Sequence, residues 1–221
     1  MAHKKIDYVK EWNDNADRIR ANREFKHRYD IKSGIYSRIT PEERLLLKLV
    51  NRKSKVLDVG CGIGRMMRLF PKSFGIDVSD KMLEMNPFKN RIKQMDITQN
   101  ADLKKKSFDV IFLLRVVLHL RGEVIDEVLM RLNGLLKDDG FLYIDAQTKA
   151  DMDEIKWKFK RIYWALTGKL TPVSAKAITS SKLKKILDKH GFSYKIYNLT
   201  ETNWRESKKH SKSIFKIKKL K

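Results

Sequence analysis

The stretch from Lys55 to Met66, which reads K-V-L-D-V-G-C-G-I-G-R-M, constrains the fold more than any other part of the chain. Its apolar residues at 56, 57 and 59 are typical of a short parallel strand that is buried on both faces. Glycines follow at 60, 62 and 64, and a glycine leaves no side chain between a ligand and the backbone. We expect a helix to begin after them, with unpaired N–H groups in its first turn. The pattern therefore predicts a ligand site at the carboxyl end of a buried strand.

The spacing of these glycines argues against a dinucleotide as the ligand. A dinucleotide fingerprint has the form G-x-G-x-x-G, whose third glycine lets the helix pack closely while a pyrophosphate sits at its N-terminus. Here the glycines alternate, and Arg65 stands where that third glycine would be. Asp58, near the end of the strand, would repel a pyrophosphate but can accept hydrogen bonds from a cationic amine, directly or through water. The alternative interpretation is a tight strand-to-helix turn that binds nothing.

Two further acids lie at the ends of the next two predicted strands. Asp77 ends the strand 73–77 and follows Gly60 by 17 residues, close to the spacing at which an acid meets ribose hydroxyls in nucleotide-binding folds. A carboxylate there can accept from both hydroxyls and disfavours a phosphorylated ribose. Asp96 follows the strand 91–95, where a turn-forming role is the alternative.

The motifs V-L-D-V-G-C-G-I-G-R and G-I-D-V-S-D-K-M-L-E resemble those of class I S-adenosylmethionine-dependent methyltransferases, in the small-molecule, type 11-like branch. The resemblance implies S-adenosyl-L-methionine as cofactor, with Asp58 at its amino-acid end and Asp77 at its ribose. It also implies that Asp96 accepts from the adenine amino group and that Ile97 lies against the ring. The cofactor-binding residues expected on this basis are Asp58, Gly60, Cys61, Gly62, Gly64, Asp77, Val78, Met82, Asp96, Ile97 and Leu114.

The order of elements, together with the resemblance, predicts an α/β fold. We expect a doubly wound, mostly parallel, seven-stranded Rossmann-like methyltransferase sheet with an antiparallel last strand and helical cap segments. The predicted strands are 56–59, 73–77, 91–95, 108–114, 141–145, 192–196 and 213–218, and the predicted helices include 66–70, 122–136 and 180–190. The whole chain is expected to form a single domain, 1–221, with an N-terminal helical lid (1–43), a cofactor-binding core (44–148), an inserted basic and aromatic cap (149–180) and the C-terminal part of the sheet (181–221).

Aromatic residues in the two cap segments are candidates for contact with substrate. In the family that the chain resembles, N-terminal segments close over the cofactor, which makes Tyr8 and Trp12 candidates for a lid; ordinary packing of both aromatics is the alternative. Trp157 and Tyr163 lie in a lysine-rich stretch and are candidates for a second lid, or for stacking on nucleic-acid bases. The alternative there is a helix that packs on the sheet with its lysines in water.

The segment after the fourth predicted strand bears on the methyl acceptor. It reads R-V-V-L-H-L from Arg115, which resembles the V-L-H-H-L of small-molecule methyltransferases, and it lacks the N-P-P-Y tetrad of DNA amino methyltransferases. His119 is a candidate general base for a hydroxyl, because its ordinary pKa of about 6.5 suits neutral pH; it could equally orient a loop. Arg115 is a candidate substrate-contacting residue.

The charge of the chain is +22 and is unevenly distributed. Residues 55–148 carry 15 Lys and Arg against 13 Asp and Glu, whereas residues 149–221 carry 20 against 6. Such basic flanks can attract RNA, an anionic surface or an acidic small substrate. A solvated lysine-rich surface is the alternative, because bidentate phosphate recognition favours arginine and 18 of those 20 cations are lysine.

The remaining composition sets further limits. Cys61 is the single cysteine, which excludes an internal disulfide and a cysteine cluster for zinc, and we expect no metal. The first residues lack the apolar run of a signal peptide, and no stretch approaches the roughly 18 apolar residues of a membrane span. We therefore expect a soluble, cytoplasmic protein.

These observations predict a methyltransferase that modifies an O or N atom of a small-molecule, sugar or glycan acceptor. The alternatives are an RNA methyltransferase that grips phosphates with its basic flanks, and a non-catalytic module that keeps the fold to bind a partner. A nicotinamide reductase is the weakest rival. Methyl transfer mainly requires that the acceptor be held in line with an already activated carbon, so the cofactor residues are easier to identify than catalytic ones.

Overall fold

Seven strands and five α-helices make up the described part of the chain in the computed structural model, which describes residues 8–21, 39–99, 102–120, 122–147, 178–203 and 208–220. The strands are β1 (Val56–Val59), β2 (Ser73–Asp77), β3 (Ile92–Gln94), β4 (Phe108–Leu113), β5 (Leu136–Gln147), β6 (Tyr194–Asn203) and β7 (Lys208–Lys218). The helices are α1 (Tyr8–Ala21), α2 (Pro41–Leu49), α3 (Asp80–Glu84), α4 (Gly122–Leu135) and α5 (Ser180–Lys189), with short 3₁₀ turns at Lys89–Arg91 and Val117–His119.

One sheet contains all seven strands in the order β3-β2-β1-β4-β5-β7-β6. The pairs from β3 through β5 are parallel, whereas β7 is antiparallel to both of its neighbours, β5 and β6. This confirms the predicted doubly wound sheet with an antiparallel last strand. Because the strand order reverses between β1 and β4, a crevice opens at their carboxyl ends, which is where ligands bind in such sheets.

The two faces of the sheet are covered by different helices, as the mainly apolar sequences of β1 and β4 require. Leu57 of β1 belongs to a buried cluster with Leu129 of α4 and Leu183 of α5. Its neighbour Val56 points to the opposite face and belongs to a second cluster with Leu46 of α2. The alternation of successive side chains along β1 therefore builds both layers of the core.

The predicted helix 66–70 is wrong: residues 62–69 form consecutive turns. The amide of Arg68 donates to the carbonyl of Gly64 at 3.2 Å as in an α-helix, but those of Leu69 and Phe70 reach only three residues back. Gly62 and Gly64 have φ angles of 47° and 86°, which lie outside the helical region. The chain thus passes from β1 to β2 through a tight, irregular connection.

Other boundaries differ by smaller amounts. β5 begins at Leu136, ahead of the predicted 141–145, because the predicted turn 137–140 lies inside the strand as an irregularity: Phe108 pairs with Leu136, and Val110 with Phe141. β6 and β7 extend beyond the predicted 192–196 and 213–218 toward each other. Local sequence patterns do not reveal which strands pair. They therefore cannot show that a turn-like segment lies inside a strand, or how far two antiparallel strands extend.

Several expectations concern residues that the structure does not describe. Trp157 and Tyr163, and nearly all of the predicted cap 149–180, fall in that group, so the division into lid, core and cap stays a prediction. Within the described ranges, no helix has both the length and the hydrophobicity needed to cross a membrane. The same ranges contain no group of three or more His, Cys, Asp and Glu side chains arranged to hold a metal ion.

Candidate active site

A cavity of about 210 Å³ lies at the carboxyl ends of the parallel strands, where the glycine loop, α1, α2 and the segment after β4 meet. Most of the residues that the sequence singles out line it. These are Asp58, Gly60, Cys61, Gly62, Asp77, Val78, Met82, Asp96, Ile97, Leu114, Tyr8, Trp12, Arg115 and His119. Gly64 is not among the lining residues: a Cβ there would meet Asn86 at 2.8 Å and Phe88 at 2.9 Å, so it allows close packing behind the cavity wall.

The glycine loop provides space for a ligand, while most of its amides are engaged inside the protein. The amides of Gly60 and Cys61 both donate to the carbonyl of Ile76, and the amide of Gly62 donates to Asp77 Oδ2 at 2.8 Å. A phosphate-binding loop instead points such amides at its ligand. The loop is therefore poorly suited to a pyrophosphate, which agrees with the argument from glycine spacing.

Gly60 is required by its surroundings. Its φ angle is 72°, and a Cβ at this position would lie 2.3 Å from Cγ2 of Val116, which follows β4. The loop can therefore lie against the segment after β4 only because residue 60 has no side chain. This contact closes the cavity between β1 and β4.

Asp77 lies at the end of β2 and is fixed by backbone amides. Its Oδ2 accepts from Gly62, and its Oδ1 accepts from the amide of Ser79 at 2.9 Å. Burial nevertheless raises the pKa of Asp77, with these hydrogen bonds acting in the opposite direction. Since a carboxylate has about four acceptor positions, Asp77 retains acceptor capacity toward the cavity.

Asp58 is the least satisfied acid in the site. It is 4% exposed, and its Oδ2 has no hydrogen-bond partner among the described residues. Burial, and then the neighbouring charge of Asp77, raise the pKa of Asp58 to about 7. A buried polar atom without a partner is rare in native proteins, and at this position it calls for a hydrogen-bond donor from a ligand.

Asp96 follows β3 and is held in a local turn. Its Oδ1 accepts from the amide of Thr98 at 2.9 Å and from the hydroxyl of Thr98 at 2.7 Å. The next residue, Ile97, is buried at 5% exposure and also lines the cavity. The turn-forming role that the sequence left open is therefore present, and it holds an acid and an apolar side chain side by side at the cavity wall.

His119 lies in the 3₁₀ turn after β4 and contacts Trp12 of α1. The two rings are 4.8 Å apart between centroids at an interplanar angle of 86°, an edge-to-face arrangement. Burial lowers the pKa of His119 to about 4, and its Nδ1 has no partner among the described residues. The imidazole is therefore neutral at physiological pH.

The first helix is attached beside the cavity through α3. The hydroxyl of Ser79 donates to Asn13 at 2.6 Å, and Lys81 forms an ion pair with Asp17. These contacts hold α1, and with it Tyr8 and Trp12, at the cavity wall, and their role as a lid stays a prediction.

Sequence reasoning missed two acids of α2 as part of the cavity wall. Glu42 and Glu43 are acids of the first turn of α2, yet they are 4% and 1% exposed and both line the cavity. Glu43 accepts from Arg65 at 2.7 Å, from Arg68 at 3.2 Å and from the amide of Thr40 at 2.8 Å. The T-P-E-E pattern, a capping box, indicates only the last of these contacts.

Glu42 links α2 to β7, the strand that lies next to β5 in the sheet. Its Oε2 accepts from Lys212 of β7 at 2.8 Å and lies 3.6 Å from the Arg115 guanidinium, but its Oε1 has no partner among the described residues. Arg115 has a φ angle of 61°, and its amide donates to Asp145 of β5 at 2.6 Å. Since 170 residues separate Glu42 from Lys212, no local pattern indicates this cluster.

Comparison with known proteins identifies the family of the chain. A family model described as a methyltransferase domain matches residues 31–195. An uncharacterized protein of Methanocaldococcus jannaschii is 31% identical over 131 residues, which cover 58% of this chain and 49% of that protein. The chain spans about half the length of the curated relatives it matches.

Solved structures share the fold at low sequence identity. The crystal structure of an S-adenosylmethionine-dependent methyltransferase from Archaeoglobus fulgidus is 18% identical with a TM-score of 0.64, covering 88% of this chain and 98% of that one. Magnesium protoporphyrin IX methyltransferase from Synechocystis PCC 6803, solved with bound S-adenosylhomocysteine, is 18% identical with a TM-score of 0.62, covering 94% and 97%. The chain belongs to the methyltransferase domain family, and it shares the fold of S-adenosylmethionine-dependent methyltransferases of known structure.

Proposed function

We propose that the protein transfers a methyl group from S-adenosylmethionine to an O or N atom of a small-molecule, sugar or glycan acceptor. The observation that carries this proposal is the row of acids, Asp58, Asp77 and Asp96, at the carboxyl ends of β1, β2 and β3 along one cavity wall. S-adenosylmethionine supplies a methyl group already activated by a sulfonium.

The cavity wall fits this cofactor in three places. The unpartnered Oδ2 of Asp58 suits a cationic amine, because an ammonium group supplies the donor and the charge that the buried carboxylate lacks. Asp77, positioned by Gly62 and Ser79, suits a ribose diol. Asp96 with Ile97 suits an adenine, whose amino group donates and whose ring is apolar. The Synechocystis enzyme, which shares the fold, was solved with bound S-adenosylhomocysteine, and this supports the choice of cofactor.

The chain's own contribution to the reaction is positioning. Tyr8 and Trp12 cover the cavity and exclude water, which strengthens the electrostatic contacts inside it. His119 is neutral and able to accept a hydrogen bond or a proton, which suits a role in orienting the acceptor or as a base. Its low basicity favours orientation.

The acidity of the cavity favours a small molecule over a polyanion. Its lining contains five acids (Glu42, Glu43, Asp58, Asp77 and Asp96) against two arginines (Arg65 and Arg115), although the chain carries +22 overall. A phosphate would meet like charges at several points of this wall.

RNA is kept as a second candidate acceptor because of the outer face of α5. Lys182, Lys184, Lys185 and Lys189 are exposed there. If those lysines bind phosphates, RNA affinity should fall steeply with salt. We expect filter binding of a short RNA to be weak and methylation of a small acceptor to be insensitive to moderate salt; salt-sensitive methylation of RNA would favour the alternative.

The test of the main proposal is S-adenosylhomocysteine binding by equilibrium dialysis. We expect Asp77→Ala to weaken binding about a hundredfold, since it removes an acceptor for two hydrogen bonds to a charged group. Asp80→Ala, which removes an exposed acid three residues away, is the matched control and should bind like the wild type. Absence of binding by the wild type, or equal affinity of Asp77→Ala, would contradict the proposal.

A further inference from the structure

We propose that Glu42 binds the methyl acceptor, accepting a hydrogen bond at Oε1 from an N–H or O–H group, so that this end of the cavity selects amines or alcohols and rejects anions. This inference rests on the proposed function, because it assumes that the wall with Asp58, Asp77 and Asp96 is occupied by the cofactor.

The first step is the location of Glu42 in the sheet. The three cofactor acids follow β1, β2 and β3, which form one half of the strand order. Glu42 contacts Arg115, which follows β4, and Lys212 of β7, which pairs with Gln147 of β5. Glu42 and Arg115 nevertheless line the same cavity as the cofactor acids. Glu42 therefore faces the shared cavity from the half of the sheet that carries none of the three cofactor acids.

The second step is the unequal state of the two carboxylate oxygens. Oε2 accepts from Lys212 at 2.8 Å, whereas Oε1 is buried and has no partner among the described residues. The residue as a whole is 4% exposed. A purely structural ion pair at this depth would be expected to satisfy both oxygens, as the neighbouring Glu43 does. Because Glu42 lines the cavity, its unpaired oxygen indicates a donor that arrives from outside the protein.

The third step is the charge of Glu42. Burial opposes ionisation, but Lys212 and Arg115 outweigh it, so the pKa of Glu42 is lowered. The carboxylate is therefore ionised at neutral pH and acts only as an acceptor. An incoming N–H or O–H satisfies it, whereas a carboxylate or phosphate would be repelled.

The backbone of Arg115 supports the same interpretation. A non-glycine residue in the left-handed region is sparsely populated, and such residues persist where the surroundings enforce them, often in ligand sites. Here the enforcing contact is the hydrogen bond from the Arg115 amide to Asp145. This bond fixes the backbone from which the Arg115 guanidinium reaches to 3.6 Å from Glu42 Oε2.

The experiment uses four small probes of similar shape on protein saturated with S-adenosylhomocysteine. Benzylamine and benzyl alcohol carry a donor, toluene carries no polar group, and benzoate carries an anion. Binding is followed by the NMR signal of the Trp12 indole N–H, because Trp12 lines the cavity, and Trp12→Phe assigns that signal. Saturation with S-adenosylhomocysteine is verified first by dialysis, so a failed cofactor assignment is recognised before any probe is added.

For the wild type, we expect benzylamine, benzyl alcohol or both to bind about tenfold more tightly than toluene, with benzoate the weakest. Whichever of benzylamine and benzyl alcohol binds more tightly identifies the acceptor as an amine or an alcohol. In Glu42→Gln, the ratio of the benzoate Kd to the benzylamine Kd should fall about tenfold, because the charge is removed. Asp80→Asn is the matched control: it removes one exposed carboxylate that is not part of the cavity lining, and it should keep the wild-type ratio.

The inference is overturned if the wild type binds neither donor probe at the highest soluble concentration, if it binds benzoate as tightly as benzylamine, or if Glu42→Gln keeps the wild-type ratio. Should Glu42→Gln fail to bind S-adenosylhomocysteine, Arg115→Gly provides the second test. Glycine adopts the left-handed conformation readily, so the backbone is preserved while the cation beside Glu42 is removed. The preference for benzylamine over benzoate should then increase, and an unchanged preference contradicts the inference.

Discussion

Asp58 depends more on a ligand than any other described residue of the site. Its pKa of about 7 means that the empty site is partly protonated at neutral pH, whereas an amine-bearing ligand requires the ionised form. We expect the affinity for S-adenosylhomocysteine to fall roughly tenfold from about pH 7.5 to about pH 6, as linkage requires for a group that must lose its proton to bind. Equilibrium dialysis across this range measures the effect.

The control for this prediction is Asp58→Asn, which cannot titrate. Its affinity should be lower at neutral pH and flat over the same range. The folded-state pKa of Asp58 is raised, so the stability contributed by its protonated form is lost as pH rises through 7; Asp58→Asn should therefore resist denaturant better than the wild type at alkaline pH. A parallel pH dependence in both proteins would show that another group controls binding.

His119 gives a prediction with the opposite direction. Because its folded pKa of about 4 lies below the unfolded value of 6.5, the neutral imidazole stabilises the fold above pH 6.5, and that contribution is lost as pH falls toward 4. The loss amounts to at most about 3 kcal/mol. Denaturant unfolding of the wild type and of His119→Asn at several pH values measures this contribution, as the difference in unfolding free energy between the two proteins. In addition, the NMR signals of the imidazole should titrate near pH 4. Titration near 6.5 would mean that the ring is solvated.

The glycines of the loop differ in what they accommodate. Alanine at 60 meets Val116 at 2.3 Å, whereas alanine at 62 has only Asp77 Oδ2 at 4.0 Å. Both positions have positive φ, which costs a non-glycine residue about 1–2 kcal/mol. Denaturant unfolding should therefore show that Gly62→Ala loses about that much stability and Gly60→Ala clearly more. Equal losses would mean that Val116 moves away without cost.

At the scale of elements, α2 matters because it carries Glu42 and Glu43. Thr40 caps it, accepting from the Glu43 amide at 3.2 Å while its own amide donates to the Glu43 carboxylate. Thr40→Ala removes the side-chain half of this box and should cost about 1 kcal/mol in unfolding free energy. Thr40→Ser keeps the hydroxyl and should remain close to wild type; a similar loss in both variants would assign the effect to the methyl group instead.

The connection from β1 to β2 shows where prediction from local pattern ends. The apolar residues of β1 indicate the strand, and the glycines that follow indicate the loop. Both features can be predicted because they depend on residues close together in the sequence. The expected helix after the loop does not form: residues 62–69 are turns, and Gly62 has a positive φ angle and hydrogen bonds to Asp77 and Asn86. Those contacts join parts of the chain that only the folded sheet brings together.

At the scale of the whole molecule, the same distinction applies to the site. Asp58, Asp77 and Asp96 were identifiable because each ends a strand in a recurring order, and the strand order then places them on one wall. The cluster of Glu42, Arg115, Asp145 and Lys212 was not identifiable from the sequence. Its members come from α2, the end of β4, β5 and β7, and Lys212 joins the others because β7 pairs antiparallel with β5. Arg115 was singled out, but its left-handed backbone has no sequence signature.

The unpartnered carboxylate of Asp58 also affects the heat of ligand binding. At pH 7 the empty site holds about half a proton on Asp58, which an amine-bearing ligand would displace into the solvent. On average, each binding event then transfers about half a proton to the buffer, so the measured enthalpy should differ between phosphate and Tris by about half the difference in their ionisation enthalpies. The protein therefore couples ligand capture to proton release, and a local rise in acidity would favour the empty site.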